Sequence, residues 1–147
     1  MVGSILQTLM EWISVDDLAP FKILIVDDEP DIRDYIRMVL EDNGATVIEA
    51  CDGNEALEVA RREKPDLITL DIQMPNKNGS QAYEEMRKDP DLIDIPVCII
   101  TGHPELRRLI YQRVVPPPDG YMDKPVDDQR LVMNLKKLLA LSSRKNK

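Results

Sequence analysis

Leu67-Ile68-Thr69-Leu70-Asp71-Ile72-Gln73-Met74-Pro75 is the stretch on which the fold turns. Its first four residues form a short apolar run, the length of a buried strand. The run delivers an aspartate, and a loop with Pro75 and Gly79 follows. A lone aspartate after a strand most often caps a turn. In an open α/β sheet the same position is the carboxyl edge, where ligands bind. The rest of the chain decides between the two.

Upstream, residues 21–26 (Phe-Lys-Ile-Leu-Ile-Val) form a β-branched, apolar run that ends in Asp27-Asp28-Glu29. Pro30 suits the first turn of a helix. That helix buries Ile32, Ile36, Val39 and Leu40, exposes Arg33, Asp34 and Arg37, and closes at Asn43-Gly44. A second strand covers residues 46–49, and Asp52-Gly53-Asn54 turns into a helix that ends near Lys64-Pro65.

Downstream of the central stretch, a helix over residues 80–88 stops at Asp89-Pro90. Residues 96–101 make a fourth strand ending in the Thr101 hydroxyl. Pro104 starts a helix with Leu106, Leu109 and Ile110 inward and Arg107, Arg108 and Arg113 outward, and Pro116-Pro117-Pro118 forbids its continuation. A short fifth strand, residues 120–122, precedes Asp123-Lys124-Pro125. The last helix spans residues 127–141 and buries Leu131, Leu135, Leu138 and Leu139; residues 142–147 read as a basic, solvated tail.

Strand and helix thus alternate five times. Right-handed crossovers between parallel strands make this an α/β chain with a doubly wound parallel sheet. No glycine-rich nucleotide loop is present. In such a sheet Asp27, Asp28, Asp71, Thr101 and Lys124 all reach one edge. Three carboxylates brought together repel unless a cation joins them, and Mg²⁺ suits oxygen ligands. An ammonium and a hydroxyl beside them can hold phosphate oxygens. This is equipment for phosphoryl transfer onto a carboxylate.

Val26-Asp27-Asp28-Glu29, Asp71-Ile72-Gln73-Met74-Pro75 with Gly79, Ile100-Thr101-Gly102 and Gly120-Tyr121-Met122-Asp123-Lys124-Pro125 resemble the receiver domain of two-component response regulators. The resemblance spans residues 21–141. It implies a flavodoxin-like fold of five parallel strands in the order 2-1-3-4-5 with five helices. It also implies that Asp71 accepts a phosphoryl group from a histidine kinase or histidine phosphotransfer protein. Mg²⁺ would be held by Asp28, Asp71 and the backbone carbonyl of Gln73, with Asp27 acting through water. Lys124 would contact the phosphoryl group, and its bond to Pro125 would be cis. Thr101 and Tyr121 would form the switch that reshapes the face of the fourth helix, fifth strand and fifth helix for a downstream target.

The chain departs from the family pattern in places. Gly102 stands where alanine is frequent. His103 beside it is either an exposed loop residue or a group that tunes water access. The proline run stiffens the switch face or shortens the fourth helix, whose arginines make either a solvated face or a docking surface for an acidic partner.

Composition narrows the field. Acidic side chains outnumber basic ones by 27 to 19, for a net charge of -8. That disfavours nucleic acid and anionic membranes as partners. Cys51 and Cys98 read as two buried, reduced thiols. With no membrane span and no basic leader, a cytoplasmic location is expected. Residues 1–20 form an N-terminal extension. Ser4 can cap a short helix with Ile5, Leu9, Trp12 and Ile13 on one face, and Leu6 and Met10 beside it. Such a helix suits the domain's own surface, a second copy in a homodimer, or a partner.

The leading expectation is a phosphorylation-controlled signalling module rather than an enzyme. Two alternatives stand beside it. One is a receiver fold serving as a fixed interaction module. The other is an aspartyl-phosphate phosphohydrolase, which needs a proton-transferring residue where Gln73 stands.

Overall fold

The first strand, β1 (Lys22–Val26), alternates its side chains between two buried faces. Leu24 and Val26 point to one side of the sheet, Ile23 and Ile25 to the other. Only a strand with helices on both faces can be apolar on both. The computed structural model describes residues 17–145. The expected helix at Ser4–Ile13 lies outside them.

Four parallel strands join β1: β2 (Thr46–Ala50), β3 (Leu67–Leu70), β4 (Val97–Thr101) and β5 (Gly120–Asp123). Their order is β2-β1-β3-β4-β5, the doubly wound arrangement expected. Helices α1 (Pro30–Asp42) and α5 (Asp128–Lys145) cover the face that carries Ile23, Ile25 and Ile100. The other face takes α2 (Gly53–Glu63), α3 (Gly79–Lys88) and α4 (Arg107–Tyr111).

Local chemistry sets the helix ends. Pro30 occupies the first turn of α1. Asp52 caps α2 by accepting from the Glu55 amide at 2.8 Å, and Lys64 ends it in the left-handed region at φ 46°. Asn78 and Gln81 form a reciprocal capping box at α3. Asp127 accepts from the Arg130 amide at 2.9 Å and opens α5.

Four expectations need correction. The helix after Pro104 begins as a 3₁₀ turn, Pro104–Leu106, and α4 itself has five residues; of the two outcomes expected from the proline run, shortening is the one seen. Its arginines do not form an open basic face. Arg107 pairs with Asp123 at 2.7 Å, Arg113 pairs with Glu84 and bonds Ser80 at 3.2 Å, and Arg108 alone of the three is exposed. The last helix runs four residues past Leu141, because neither glycine nor proline interrupts residues 142–145. Cys98 is buried, whereas Cys51 is exposed one residue beyond β2 and donates to Glu55 at 3.0 Å.

Two smaller features anchor the ends of the sheet. Leu18, within the expected extension, is fully buried, and its amide donates to the Asn43 carbonyl at 2.8 Å. Arg87 on α3 reaches the Ile93 and Ile95 carbonyls at 3.1 and 3.0 Å and Asp119 at 3.1 Å. Tyr83, one turn earlier, donates to the Pro116 carbonyl at 2.6 Å. α3 is thereby tied to the segments that lead into β4 and β5. Among the described residues no helix is long and apolar enough to cross a membrane.

Candidate functional site

Strand register brings the acidic residues together. Val26 of β1 lies opposite Leu70 of β3. The next residue on each strand is an aspartate, so Asp27 and Asp71 leave the sheet side by side. Their amides continue the ladder: Asp71 N–H donates to the Val26 carbonyl at 3.0 Å, and Asp27 N–H to the Ala50 carbonyl at 3.2 Å. On the far side, Thr101 pairs with Asp123, and the Lys124 amide donates to the Thr101 carbonyl at 2.9 Å. Lys124 therefore follows its strand into the same edge. Its bond to Pro125 is cis, as expected.

Oxygens of Asp27, Asp28, Glu29 and Asp71 lie within 4.8 Å of one another. Asp27 is 2% exposed and Asp71 4%. The Lys124 ammonium enters this group, 2.7 Å from Asp27, 3.5 Å from Asp71 and 3.5 Å from Glu29. Glu29 joins the expected residues in this cluster. The signal was present, since it is the third acid in a row before Pro30, but an acid there also reads as a plain helix start. Its amide donates to Asp27 at 2.9 Å, which turns the run back on itself.

Burial controls the charge states. It pushes the Asp71 carboxyl up to about 6, helped by the charges of Asp27 and Asp28 and opposed by Lys124. Burial likewise raises Asp27 despite its bond to Lys124. Burial also works against the Lys124 ammonium, but the hydrogen bond to Asp27 and the charge of Asp71 outweigh it and hold the amine above its usual range. One cation thus serves several anions, and a net negative cleft remains. Hard oxygen ligands in surplus over their counter-charge are suited to a divalent cation.

Glycine is required in the loop after Asp71. A Cβ on Gly79 would stand 1.9 Å from the Asp71 carbonyl oxygen. The Gly79 amide instead donates to the Ile72 carbonyl at 2.7 Å and closes the loop tightly. Gly102 differs: a Cβ there would meet Lys124 Cδ at 3.7 Å, ordinary contact. The departure from alanine therefore opens little space.

Of the remaining expected residues, Gln73 and Thr101 lie at the same edge, whereas Tyr121 sits back within β5, opposite Ile99. Gln73 lies in the exposed loop two residues after Asp71. Thr101 is fully buried, and its hydroxyl accepts from the His103 amide at 2.9 Å. His103 is exposed and faces Glu105 at 3.2 Å. Tyr121 is half-buried on β5. Its ring lies 6.0 Å from that of Tyr111, with the Arg107 guanidinium 4.8 Å above it. The Tyr121 hydroxyl is shut off from solvent and has no hydrogen-bond partner among the described residues. Burial and the neighbouring Tyr111 raise its pKa and keep it protonated.

Comparison with known proteins fits this geometry. The family model described as response regulator receiver domain matches residues 23–136. Protein PilH of Pseudomonas aeruginosa is 36% identical over 119 residues, covering 81% of this chain and 98% of PilH. Several other curated relatives are longer, and the chain spans about half of their length. A CheY-like response regulator receiver domain protein from Methanospirillum hungatei superposes with a TM-score of 0.76 at 27% identity, over 85% of this chain and 98% of that one. The receiver domain of a sensor histidine kinase from Pseudomonas aeruginosa, solved with a magnesium ion coordinated in its active-site cleft, gives 0.75 at 26% identity, over 83% and 99%. With its strand order, its acidic edge and its match over most of its length, the chain belongs to the response regulator receiver domain family.

Proposed function

We propose that this receiver domain takes a phosphoryl group on Asp71 from the phosphohistidine of a histidine kinase or phosphotransfer protein and answers by changing its surface. The observation that carries the reading is the cluster of Asp27, Asp28, Glu29 and Asp71 with Lys124 at its centre.

Asp28, Asp71 and the Gln73 carbonyl are the groups we assign to Mg²⁺, with Asp27 acting through water. The carboxylates fit: those of Asp27, Asp28, Glu29 and Asp71 are clustered, all oxygen and under-neutralised. Bound there, the cation supplies charge neutralisation for the incoming phosphoryl oxygens. An Asp71 oxygen attacks phosphorus while the donor's phosphorus–nitrogen bond breaks. The electron pair leaves with the imidazole, which takes up a proton. Lys124, 3.5 Å from Asp71, is within reach of a phosphoryl group there. Thr101 accepts from His103, which leaves its O–H to donate to the same group.

The response runs through Thr101 and Tyr121. A shift of Thr101 toward a phosphoryl oxygen changes the room beside Tyr121, which already packs inward against Tyr111 and Arg107. The face of α4, β5 and α5 is the surface we assign to a downstream target, in a cytoplasmic setting. No turnover of substrate is ascribed to the domain.

A small phosphodonor with Mg²⁺ tests the reading. Intact mass should rise by one phosphoryl group, hydroxylamine should remove it, and Asp71→Asn should abolish it. Labelling that survives Asp71→Asn refutes the assignment.

A further inference from the structure

Asp28 sits between two peptides that a single residue of α1 holds. The Arg33 guanidinium donates to the Asp27 carbonyl at 2.7 Å. The Arg33 amide donates to the Glu29 carbonyl at 3.1 Å. The residues before and after Asp28 are thus fastened to the same point on the helix. Asp27 is held from the other side as well, since its amide donates to the Ala50 carbonyl at 3.2 Å. Both of its backbone groups are then taken up, one by the end of β2 and one by Arg33. A bond from a guanidinium is charge-assisted and stronger than one between neutral groups.

Arg33 is braced in turn. Its side chain is 20% exposed, and its Nε lies 3.8 Å from Oε1 of Glu49 on β2. The other Glu49 oxygen is 3.3 Å from Arg37, one turn further along α1. Two arginines therefore share one carboxylate, but they differ in what else they hold. Arg33 reaches the carbonyl of Asp27 at the acidic edge. Arg37 instead pairs with Glu41 at 3.2 Å and points to the Val47 carbonyl at 3.5 Å, back along β2.

We propose that Arg33 is a positioning residue for the metal, fixing the backbone from Asp27 to Glu29 so that the Asp28 carboxylate is already aimed into the cleft when the cation arrives. The proposal rests on the Mg²⁺ assignment made above. Charge and position make opposite demands on this residue. Arg33 is a cation beside a cation site, so charge alone has its removal tighten Mg²⁺ binding. Loss of its hold on the Asp27 carbonyl has the removal weaken binding, by about tenfold or more for an outer partner of this kind.

Calorimetric titration of the metal-free chain with MgCl₂ separates the two. The unaltered chain should bind Mg²⁺. Arg33→Met keeps the length of the stem and should raise Kd by about tenfold while circular dichroism shows the fold intact. Arg33→Lys keeps the charge and a donor but not the fork that joins Asp27 to Glu49, and its Kd should lie between the two. Arg37→Met breaks the sister pair to Glu49 and should leave Kd unchanged. Absence of Mg²⁺ binding in the unaltered chain removes the metal assignment itself. Binding that Arg33→Met leaves unchanged or tightens overturns the positioning role alone. An equal loss in Arg37→Met also overturns it, since that is a general loosening of α1. Where methionine at position 33 fails to fold, the lysine variant decides, and an unchanged Kd then overturns the proposal.

Discussion

Lys124 stands closer to Asp27, at 2.7 Å, than to Asp71, at 3.5 Å. The ammonium is therefore held mainly by the neighbour of the residue assigned as phosphoacceptor. Asp71 feels the same ammonium only at the longer distance, and burial pushes its carboxyl up to about 6.

A pH dependence follows for the metal-free protein. The folded Asp71 pKa is raised above its unfolded value, so the folded state binds more protons between the two. The stability from this group is present below about 3.8 and is lost as pH rises through about 6. Its size is about 3 kcal/mol. Asp71→Asn should thus be more stable than the parent at pH 7.5 in chelator, and the gap should close toward pH 4. Denaturant titration of both at the two pH values measures this. Added Mg²⁺ should narrow the gap at pH 7.5 by favouring the ionised parent.

The two glycines beside the site should respond oppositely. Gly79→Ala drives a methyl into the Asp71 carbonyl and should cost more than about 2 kcal/mol, with loss of labelling at Asp71. Gly102→Ala meets only ordinary contact and should be neutral or stabilising by up to about 1 kcal/mol. Thermal unfolding and phosphodonor labelling of both variants test the contrast.

The Arg87 tie should matter to stability more than any surface pair. Arg87→Leu removes bonds to Tyr83, Ile93, Ile95 and Asp119. It leaves Asp119, which also accepts from the Val97 amide at 2.9 Å, without its cation. A loss of about 3–5 kcal/mol is expected. Tyr83→Phe, which removes the bond to the Pro116 carbonyl, should cost about 1–2 kcal/mol. Denaturation midpoints rank the two.

Thiol chemistry should separate the cysteines. Cys98, buried and pushed up to about 12, should stay unreactive until the protein unfolds. Cys51 is exposed, but its hydrogen bond to Glu55 raises its pKa. A disulfide reagent should find one slow thiol in the folded chain and two in denaturant. Glu55→Gln should quicken the slow one near pH 8.

The sheet was legible because runs such as Ile23–Val26 and Leu67–Leu70 are apolar on both faces and end in carboxylates. Their meeting was legible because parallel strands share an edge. Other features depend on neighbours that sequence does not reveal. Glu29 joins the cluster because its amide bonds Asp27. Arg113 turns inward because Glu84 and Ser80 of α3 lie within its reach. Leu18 enters the core although it falls within the stretch that reads as an N-terminal extension. Cys51 misses the core by one position past Ala50, a margin finer than strand ends can be read.

The pairing of Val26 with Leu70 carries a last consequence, for chain length. Successive strand residues face opposite sides, so one residue inserted within Leu67–Leu70 would swing the Asp71 carboxylate to the other side of the sheet. Exchanging one apolar residue for another there leaves the aspartate aimed. The strand is therefore tolerant in spelling and strict in counting, and insertions belong in the turns between elements.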